Sequence, residues 1–293
     1  MYWPKNLIKK IKINVNLAAY TSLKIGGRAD FFCEPKNLQE LKSGLGFAKT
    51  NALEIYLLGS GSNLLVSDSG VQGLVIRLSA PGFSKLSTKG SYLEAGCGVK
   101  LSQLLLYARN KNLSGLEFLA GIPGTLGGAL AGNAGAWNKS IGKLVEEVLV
   151  LDYNASLKHL SGKQLKFGYR KSNLTRCIIL QAKLKLLPEK KDKISAEIKN
   201  YLLRRGVTGS IRLPNAGCVF KNPSKLTAGK LIDACKLKGK KIGGAVISAT
   251  HANFILNYKK AKSKDVLSLM RLMQKRVQSK FKIVLTPEIK IWQ

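Results

Sequence analysis

The segment from Gly121 to Trp137, GIPGTLGGALAGNAGAW, constrains this chain more than any other, because nothing bulkier than leucine or isoleucine occurs before the closing tryptophan. A backbone so thinly covered can approach another backbone or a ligand closely and donate successive amides to an anion such as a pyrophosphate. Glycine in regular structure costs roughly 0.5–1 kcal/mol per site, so a run this dense needs a compensating use. Turns and tight packing are the alternative use. A second stretch of the same kind, GSGSNLL from Gly59, directly follows the strand-like run EIYLL from Glu54.

Neither stretch fits the commonest nucleotide-binding loops. The dinucleotide fingerprint of a Rossmann domain needs a third small residue where GSGSNLL has Leu64. A Walker A loop is nearly spaced by Gly127 and Gly132, but Asn133 and Ala134 stand where Lys and Ser/Thr are required. A G-x-S-x-G nucleophile elbow is absent, which removes the commonest serine-hydrolase signature.

The chain has 293 residues, 45% of them hydrophobic, enough to build two or three domains with their own cores. β-rich runs at Glu54–Leu58, Leu74–Leu78, Val145–Leu151 and Ile178–Leu187 surround a helical pattern at Val99–Asn112, giving a mixed α+β reading. After Pro35, Leu38, Leu41, Leu45 and Ala48 fall on one helical face. The charged PEKKDK from Pro188 leads into a helical pattern at Ile194–Arg205 with Gly206 as its stop, and a domain boundary is expected at 188/189. Beyond it come a helix at Thr227–Lys238, strands around Val246 and Phe254, an amphipathic helix at Ser263–Phe281 and a closing strand.

Five cysteines without a C-x-x-C pair suggest neither a disulfide framework nor a zinc site, and two histidines, His159 and His251, leave no histidine-rich metal site, so no metal is expected. No apolar run approaches a membrane span and the N-terminus has no small-residue cleavage site, so the expected location is the cytoplasm, without membrane insertion. The net charge of +33 favours anionic substrates. A polyanion such as nucleic acid would explain it directly, yet the lysines are dispersed among many asparagines, as on solvated faces, and no zinc-finger spacing or aromatic RNA-reading pattern accompanies them.

Several motifs, in order and spacing, resemble one family over essentially the whole chain. YTSLKIGGRADF from Tyr20, LLGSGSNLLVSD from Leu57 and FLAGIPGTLGGALAGNAGA from Phe118 are followed by FGYRKSN from Phe167 and AGCVFKNP from Ala216. AGKLIDACKLKGKKIGGAVIS from Ala228, HANFILN from His251 and LTPEIKIW from Leu285 complete the pattern. Together they are similar to the UDP-N-acetylenolpyruvoylglucosamine reductases, and the short path from Arg170 to the strand ending at Leu187, with HANFILN, points to the type II form.

The resemblance implies a vanillyl-alcohol-oxidase/PCMH-type FAD-binding fold of two lobes, about 1–55 and 56–188, plus a C-terminal α+β substrate-binding domain over 189–293. It implies FAD and NADPH as cofactors and a sugar-nucleotide substrate in peptidoglycan precursor synthesis; the chain is expected to be a monomer without a specific nucleic-acid partner. The FAD contacts it implies are Tyr20, Ile25, Gly26, Gly27, Gly59, Ser60, Gly61, Ser62, Asn63, Gly121, Pro123, Gly124, Gly127, Gly128, Asn133 and Gly135, mainly through backbone amides. Tyr169, Arg212 and Asn222 are the implied substrate contacts.

Reduction of an enolpyruvyl ether delivers hydride to the terminal carbon and pushes charge onto the substrate carboxylate, which calls for preorganised positive charge. Arg170 matches the catalytic arginine of the resemblance, and a guanidinium fork binds both carboxylate oxygens at once. Glu288, read as lying in a strand out of phase with Leu285, Pro287, Ile289 and Ile291, is assigned to the catalytic set. Cys218 stands where serine usually donates the proton to the enolate carbon, and a thiol with an ordinary pKa of about 8.5 is the stronger acid. Solvated Arg170 and Glu288 and a buried inert Cys218 are the plain alternatives. A related flavin oxidase is the rival within the fold; such oxidases often tether flavin through histidine or cysteine, and here only Cys33 and Cys97 are formally available in the glycine-rich half.

Overall fold

The computed structural model describes residues 10–206, 211–223 and 226–293. The described chain forms two compact units that interleave in sequence. The first takes residues up to Lys12, Phe31–Gly59 and Gly73–Arg205; the second takes Ile13–Asp30, Ser60–Gln72 and Gly206–Gln293. The sequence boundary expected at 188/189 does not coincide with this division, since residues 189–205 group with the first unit and 13–30 and 60–72 with the second.

The first unit is built on a five-stranded antiparallel sheet in the order Leu157–Ser161, Val145–Leu151, Ile178–Lys185, Tyr92–Gly96, Leu86–Lys89. Along Val145–Leu151 the residues Val148 and Val150 are buried while Glu147 and Leu149, alternating with them, are half-buried, the pattern of a half-covered strand. Helices α1 (Leu38–Thr50), α2 (Leu101–Asn110), α3 (Leu126–Ala131) and α4 (Lys191–Arg204) complete the unit. In α1 the Asn37 side chain accepts from Glu40 N at 3.0 Å, and Leu41, Leu45 and Ala48 are buried as their spacing requires. One apolar core runs through the unit, with Phe47, Leu74, Leu93, Leu104, Leu126 and Leu184 fully enclosed.

The second unit has a four-stranded antiparallel sheet in the order Asn215–Cys218, Phe254–Asn257, Ala245–Ile247, Lys241–Ile242. It also holds the parallel pair Leu64–Val66 with Lys290–Trp292 and the helices α5 (Ala228–Ala234) and α6 (Ser263–Phe281). Helix α6 buries Val266, Leu269, Met270, Met273 and Val277, a single apolar stripe at three- and four-residue spacing. Its start is fixed by Asp68, whose carboxylate accepts from Ser263 N at 2.9 Å and Ser263 Oγ at 2.8 Å. Leu23, Ile25 and Leu65 belong to this second core, so the segments before Gly27 and after Asn63 fold with the C-terminal elements.

Val145–Leu151 and Ser263–Phe281 form over the residues expected. The helix expected at Thr227–Lys238 stops at Ala234, because Lys236 takes a left-handed φ of 56°. The strand expected to run to Leu187 breaks after Lys185, and Leu187–Pro188 pairs instead with Leu113–Ser114. Among the described residues no helix is long and apolar enough to cross a membrane.

Candidate active site

In the second unit, the strand Asn215–Cys218 continues into a segment that runs against the chain before the closing strand. Glu288 N donates to Val219 O at 2.8 Å and Lys221 N to Thr286 O at 2.9 Å, with Phe220 bridged to Pro287. Cys218 and Glu288, seventy positions apart, thus lie on adjacent strands of backbone. Glu288 precedes the strand Lys290–Trp292 rather than lying in it, and Pro287 is exposed instead of joining an apolar face, because the bridge to Phe220 ends the alternation. Glu288 itself is half-buried, as is Cys218.

Two asparagines fix this pair. Asn253, fully buried, donates Nδ2 to Phe220 O at 2.8 Å and accepts from Phe220 N at 3.0 Å, holding the backbone two residues beyond Cys218. Asn63 donates Nδ2 to Glu288 O at 3.2 Å, and its own carbonyl accepts from Lys290 N at 3.0 Å. The loop Ser60–Asn63 is tied to Tyr20–Gly27 through Ser22, whose N donates to Gly61 O at 3.1 Å and whose Oγ donates to Asn215 O at 2.6 Å. A Cβ on Gly61, where φ is +62°, would sit 2.2 Å from Tyr20 O, so only glycine allows this approach. The second unit thereby brings together Tyr20, Gly26, Ser60–Asn63, Cys218 and Glu288.

Within that set Ile25 and Gly27 are structural. The Ile25 side chain is buried in the core and its amide donates to Thr21 Oγ1 at 3.3 Å; Gly27 N donates to Ser67 O at 2.7 Å. Asn222 Oδ1 accepts from Ala228 N at 3.0 Å at the start of α5, and both Asn222 and Arg212 are exposed.

In the first unit, Tyr169 and Arg170 are the two central residues of the hairpin joining Phe167–Gly168 to Lys171–Ser172. Arg170 has a φ of 54°, the left-handed value that the second central position of a type II turn demands and that glycine normally fills. An arginine there costs roughly 1–2 kcal/mol. Its Nη1 donates to Gly135 O at 2.8 Å and its guanidinium lies 5.6 Å from the Tyr169 ring centre. Asn133, expected to touch FAD, is buried and spends its side chain on this hairpin, with Nδ2 to Gly168 O at 2.8 Å and Oδ1 from Gly142 N at 3.0 Å.

The glycine-rich run is more structured than a plain chain of amides. Thr125 caps the short helix α3, accepting from Gly128 N at 3.5 Å, and Gly127 N donates to Cys97 O at 2.9 Å. The amides of Gly127 and Gly128 are therefore used internally, and a Cβ on Gly127 would press against Cys97 Cβ at 3.1 Å. Gly59 lies against the Thr125 hydroxyl, where a Cβ would come within 2.7 Å. Gly121 and Gly124 have φ values of +74° and +143°, and Gly121 abuts Arg205. Neither Leu57–Val66 nor Gly121–Trp137 contains an acidic side chain, so each loop by itself offers hydroxyls and amides, the donors a diphosphate needs. This donor set fits the pyrophosphate of FAD.

Burial pushes the Cys33 thiol up to about 11 and the Cys97 thiol up to about 12, so both stay protonated and enclosed. A thiol so enclosed and protonated is a poor nucleophile for tethering a flavin. Burial lowers the imidazole of His251, which stacks edge-on against Phe254 at 4.8 Å and accepts from Asn253 N at 3.3 Å through Nδ1. Sequence reasoning missed Asn253 and Trp137: one was hidden in a quoted motif, and the other closes the glycine-rich run as its one aromatic residue.

Residues 29–161 match the family of FAD binding domains, and residues 209–292 match the UDP-N-acetylenolpyruvoylglucosamine reductase C-terminal domain. The UDP-N-acetylenolpyruvoylglucosamine reductase of Desulforamulus reducens is 38% identical over 98% of this chain and 95% of its own length. A reductase of the same description from Symbiobacterium thermophilum is 40% identical over 94% of this chain and 90% of its own. The crystal structure of the Thermus caldophilus UDP-N-acetylenolpyruvylglucosamine reductase matches with a TM-score of 0.85 at 36% identity, covering 97% of this chain and all of that one. The α+β class expected from the sequence holds, with an FAD binding domain followed by the reductase C-terminal domain. Identity at this level, sustained over nearly the whole of both chains, places this chain in the UDP-N-acetylenolpyruvoylglucosamine reductase family.

Proposed function

We propose that this chain reduces UDP-N-acetylglucosamine enolpyruvate to UDP-N-acetylmuramate, using FAD and NADPH, in the supply of peptidoglycan precursors. The observation that carries this reading is the pairing of Cys218 and Glu288 across the Phe220–Pro287 bridge, in the domain that the reductase family shares. FAD, when bound, supplies the hydride that it receives from NADPH. Small residues and hydroxyls make the loop Ser60–Asn63 of the second unit, and separately the loop Gly121–Gly124 of the first, a set of donors that would hold its pyrophosphate. Tyr20, Gly26, Gly59 and Pro123 shape these loops, while Ile25, Gly27, Gly127, Gly128 and Asn133 support them from behind.

The chain's own chemistry follows from charge. Arg170 binds the substrate carboxylate with its guanidinium fork and stabilises the charge that grows there as the terminal carbon takes up hydride. Cys218 then gives its thiol proton to the neighbouring carbon, and Glu288, as a protonated carboxyl, donates a hydrogen bond to the enolised carboxylate or holds a water in place. Tyr169, Arg212 and Asn222 contact the diphosphate and sugar. The reading assigns FAD binding to 1–188 and substrate covering to 189–293, with the first nine residues outside the described structure. The direct passage from Arg170 through Asn173–Arg176 into the strand Ile178–Lys185 supports the type II form. Action as a monomer in the cytoplasm belongs to the same reading, and sedimentation tests the first part.

The deciding experiment is an anaerobic visible spectrum of the purified protein. Yellow flavin that bleaches with NADPH and regains its colour with the enolpyruvyl sugar nucleotide is the expected result. A protein that neither carries nor accepts flavin overturns the proposal.

A further inference from the structure

The hairpin Gly135–Ala136 with Lys139–Ser140 is closed by Trp137 and Asn138, whose φ values are 50° and 61°. Two positive φ angles make this a type I′ turn, a geometry that asparagine and glycine adopt readily and tryptophan does not. An aromatic side chain in left-handed backbone persists only where its surroundings hold it. Here the holding contacts are explicit. The Trp137 ring packs on Tyr201 with centroids 4.9 Å apart, and the Arg205 guanidinium lies 4.8 Å from the Trp137 ring centre. Tyr201 is buried on α4, and Arg205 Nε donates to Ala120 O at 2.9 Å, beside the first glycine of the run. All of these residues belong to the first unit.

The turn so fixed has one consequence for chemistry. Gly135, two residues before Trp137, offers the carbonyl that accepts from Arg170 Nη1 at 2.8 Å. Gly135 is itself wedged against the opposite strand of the hairpin, where a Cβ would stand 2.2 Å from Lys139 O, so a shift of the turn carries this carbonyl with it. Arg170 has left-handed backbone of its own, and this acceptor holds its Nη1 end.

We propose that Trp137 is a positioning residue: stacked on Tyr201 and Arg205, it fixes the turn whose Gly135 carbonyl aims the Arg170 guanidinium at the substrate carboxylate. This rests on the reaction proposed above. Its signature is selective, because Arg170 meets charge developing on the enolpyruvyl carboxylate and has no such task while NADPH reduces the flavin.

The test separates the two half-reactions by anaerobic stopped flow in Trp137→Phe, Trp137→Gly and Trp137→Asn. Gly and Asn both tolerate the left-handed turn but abolish the stack, whereas Phe retains an aromatic face. The expected result is flavin reduction by NADPH within about twofold of wild type in all three, with reoxidation by the enolpyruvyl substrate slowed by up to about 10²-fold in Gly and Asn and largely restored in Phe. Unchanged reoxidation in Gly and Asn overturns the proposal. So does equal slowing of both half-reactions, or loss of flavin or fold in both variants, since these indicate a purely structural residue. Failure of the reaction proposed above is distinguishable, because it appears in the wild-type protein as absence of either half-reaction.

Discussion

At the scale of single residues, the left-handed φ of 54° at Arg170 sets function against stability. Arg170→Gly removes a backbone cost of roughly 1–2 kcal/mol, so its melting temperature is expected to equal or exceed that of the wild type. Its turnover with the enolpyruvyl substrate is expected to fall by about 10²–10³-fold. Calorimetry beside steady-state kinetics checks both halves, and a Tm lowered by several degrees would contradict the strain argument. For Cys218, turnover retained in Cys218→Ser and reduced about 10²-fold or more in Cys218→Ala supports proton donation by the side chain; full activity in the alanine variant removes it. Burial holds the His251 imidazole below its ordinary value of 6.5, so the unfolded chain takes up that proton first. Its contribution to stability is complete above pH 6.5 and is lost as the pH falls through the lower folded value. As the pH falls below 6.5, the loss of stability read by urea denaturation should therefore be smaller in His251→Gln than in the wild type. The lowered carboxyls of Glu40, Asp152 and Glu189 act in a separate window, below 4.5.

At the scale of elements, the segment bearing Cys218 is secured by one buried side chain. Asn253→Ala leaves the Phe220 N–H and carbonyl unpaired in a buried place and is expected to cost about 2–3 kcal/mol. Because Phe220 is bridged to Pro287, activity should fall together with stability, whereas Asn253→Asp retains only the acceptor and should recover part of each. A denaturation midpoint unchanged in the alanine variant would show that the clamp carries nothing. Helix α6 was legible end to end because its apolar stripe is regular and its length ample. The ends of α2 and α5 were not: left-handed backbone at Asn112 and Lys236 terminates or closely follows them, and neither residue is a glycine that would mark the stop. Glu288 was misplaced in a strand for a related reason, since alternation in LTPEIKIW looks continuous while the bridge to Phe220 interrupts it.

At the scale of the whole molecule, the net charge of +33 repels itself. Residues 206–293 hold only three acids, Asp233, Asp265 and Glu288, and Asp233 is paired with Lys238 while Asp265 accepts from the amides of Lys262 and Gly244. On α6, Lys264, Arg271 and Lys275 are all exposed along one outer stripe, without an acidic partner among the described residues. The melting temperature is therefore expected to rise as salt increases from about 0.02 to 0.3 M, over which the screening length shrinks to within the spacing of these charges. The KM for the anionic sugar nucleotide should rise over the same range. A melting temperature that falls with salt would mean that attractive pairs outweigh the repulsion. The interleaving of the two units belongs to this scale as well. Residues 13–30 and 60–72 share a core with the last eighty-odd residues, through Leu23, Ile25 and Leu65.

The sequence by itself determined the α+β class, the two glycine-rich loops, the exclusion of Rossmann and Walker A chemistry, and the residue types at 170, 218 and 288. Each of these depends on local spacing or on the chemistry of a side chain, which a linear chain displays. Only the tertiary structure decided which unit each loop joins and that Asn133 and Gly127 support the loops from within. It also decided that Cys218 and Glu288 are neighbours and that Arg170 is aimed from Gly135, beside the strained turn at Trp137. Those facts rest on hydrogen bonds and ring contacts between residues tens or hundreds of positions apart. Such contacts form only once burial has left each backbone amide and carbonyl in need of a partner, and the fold dictates which partner is near.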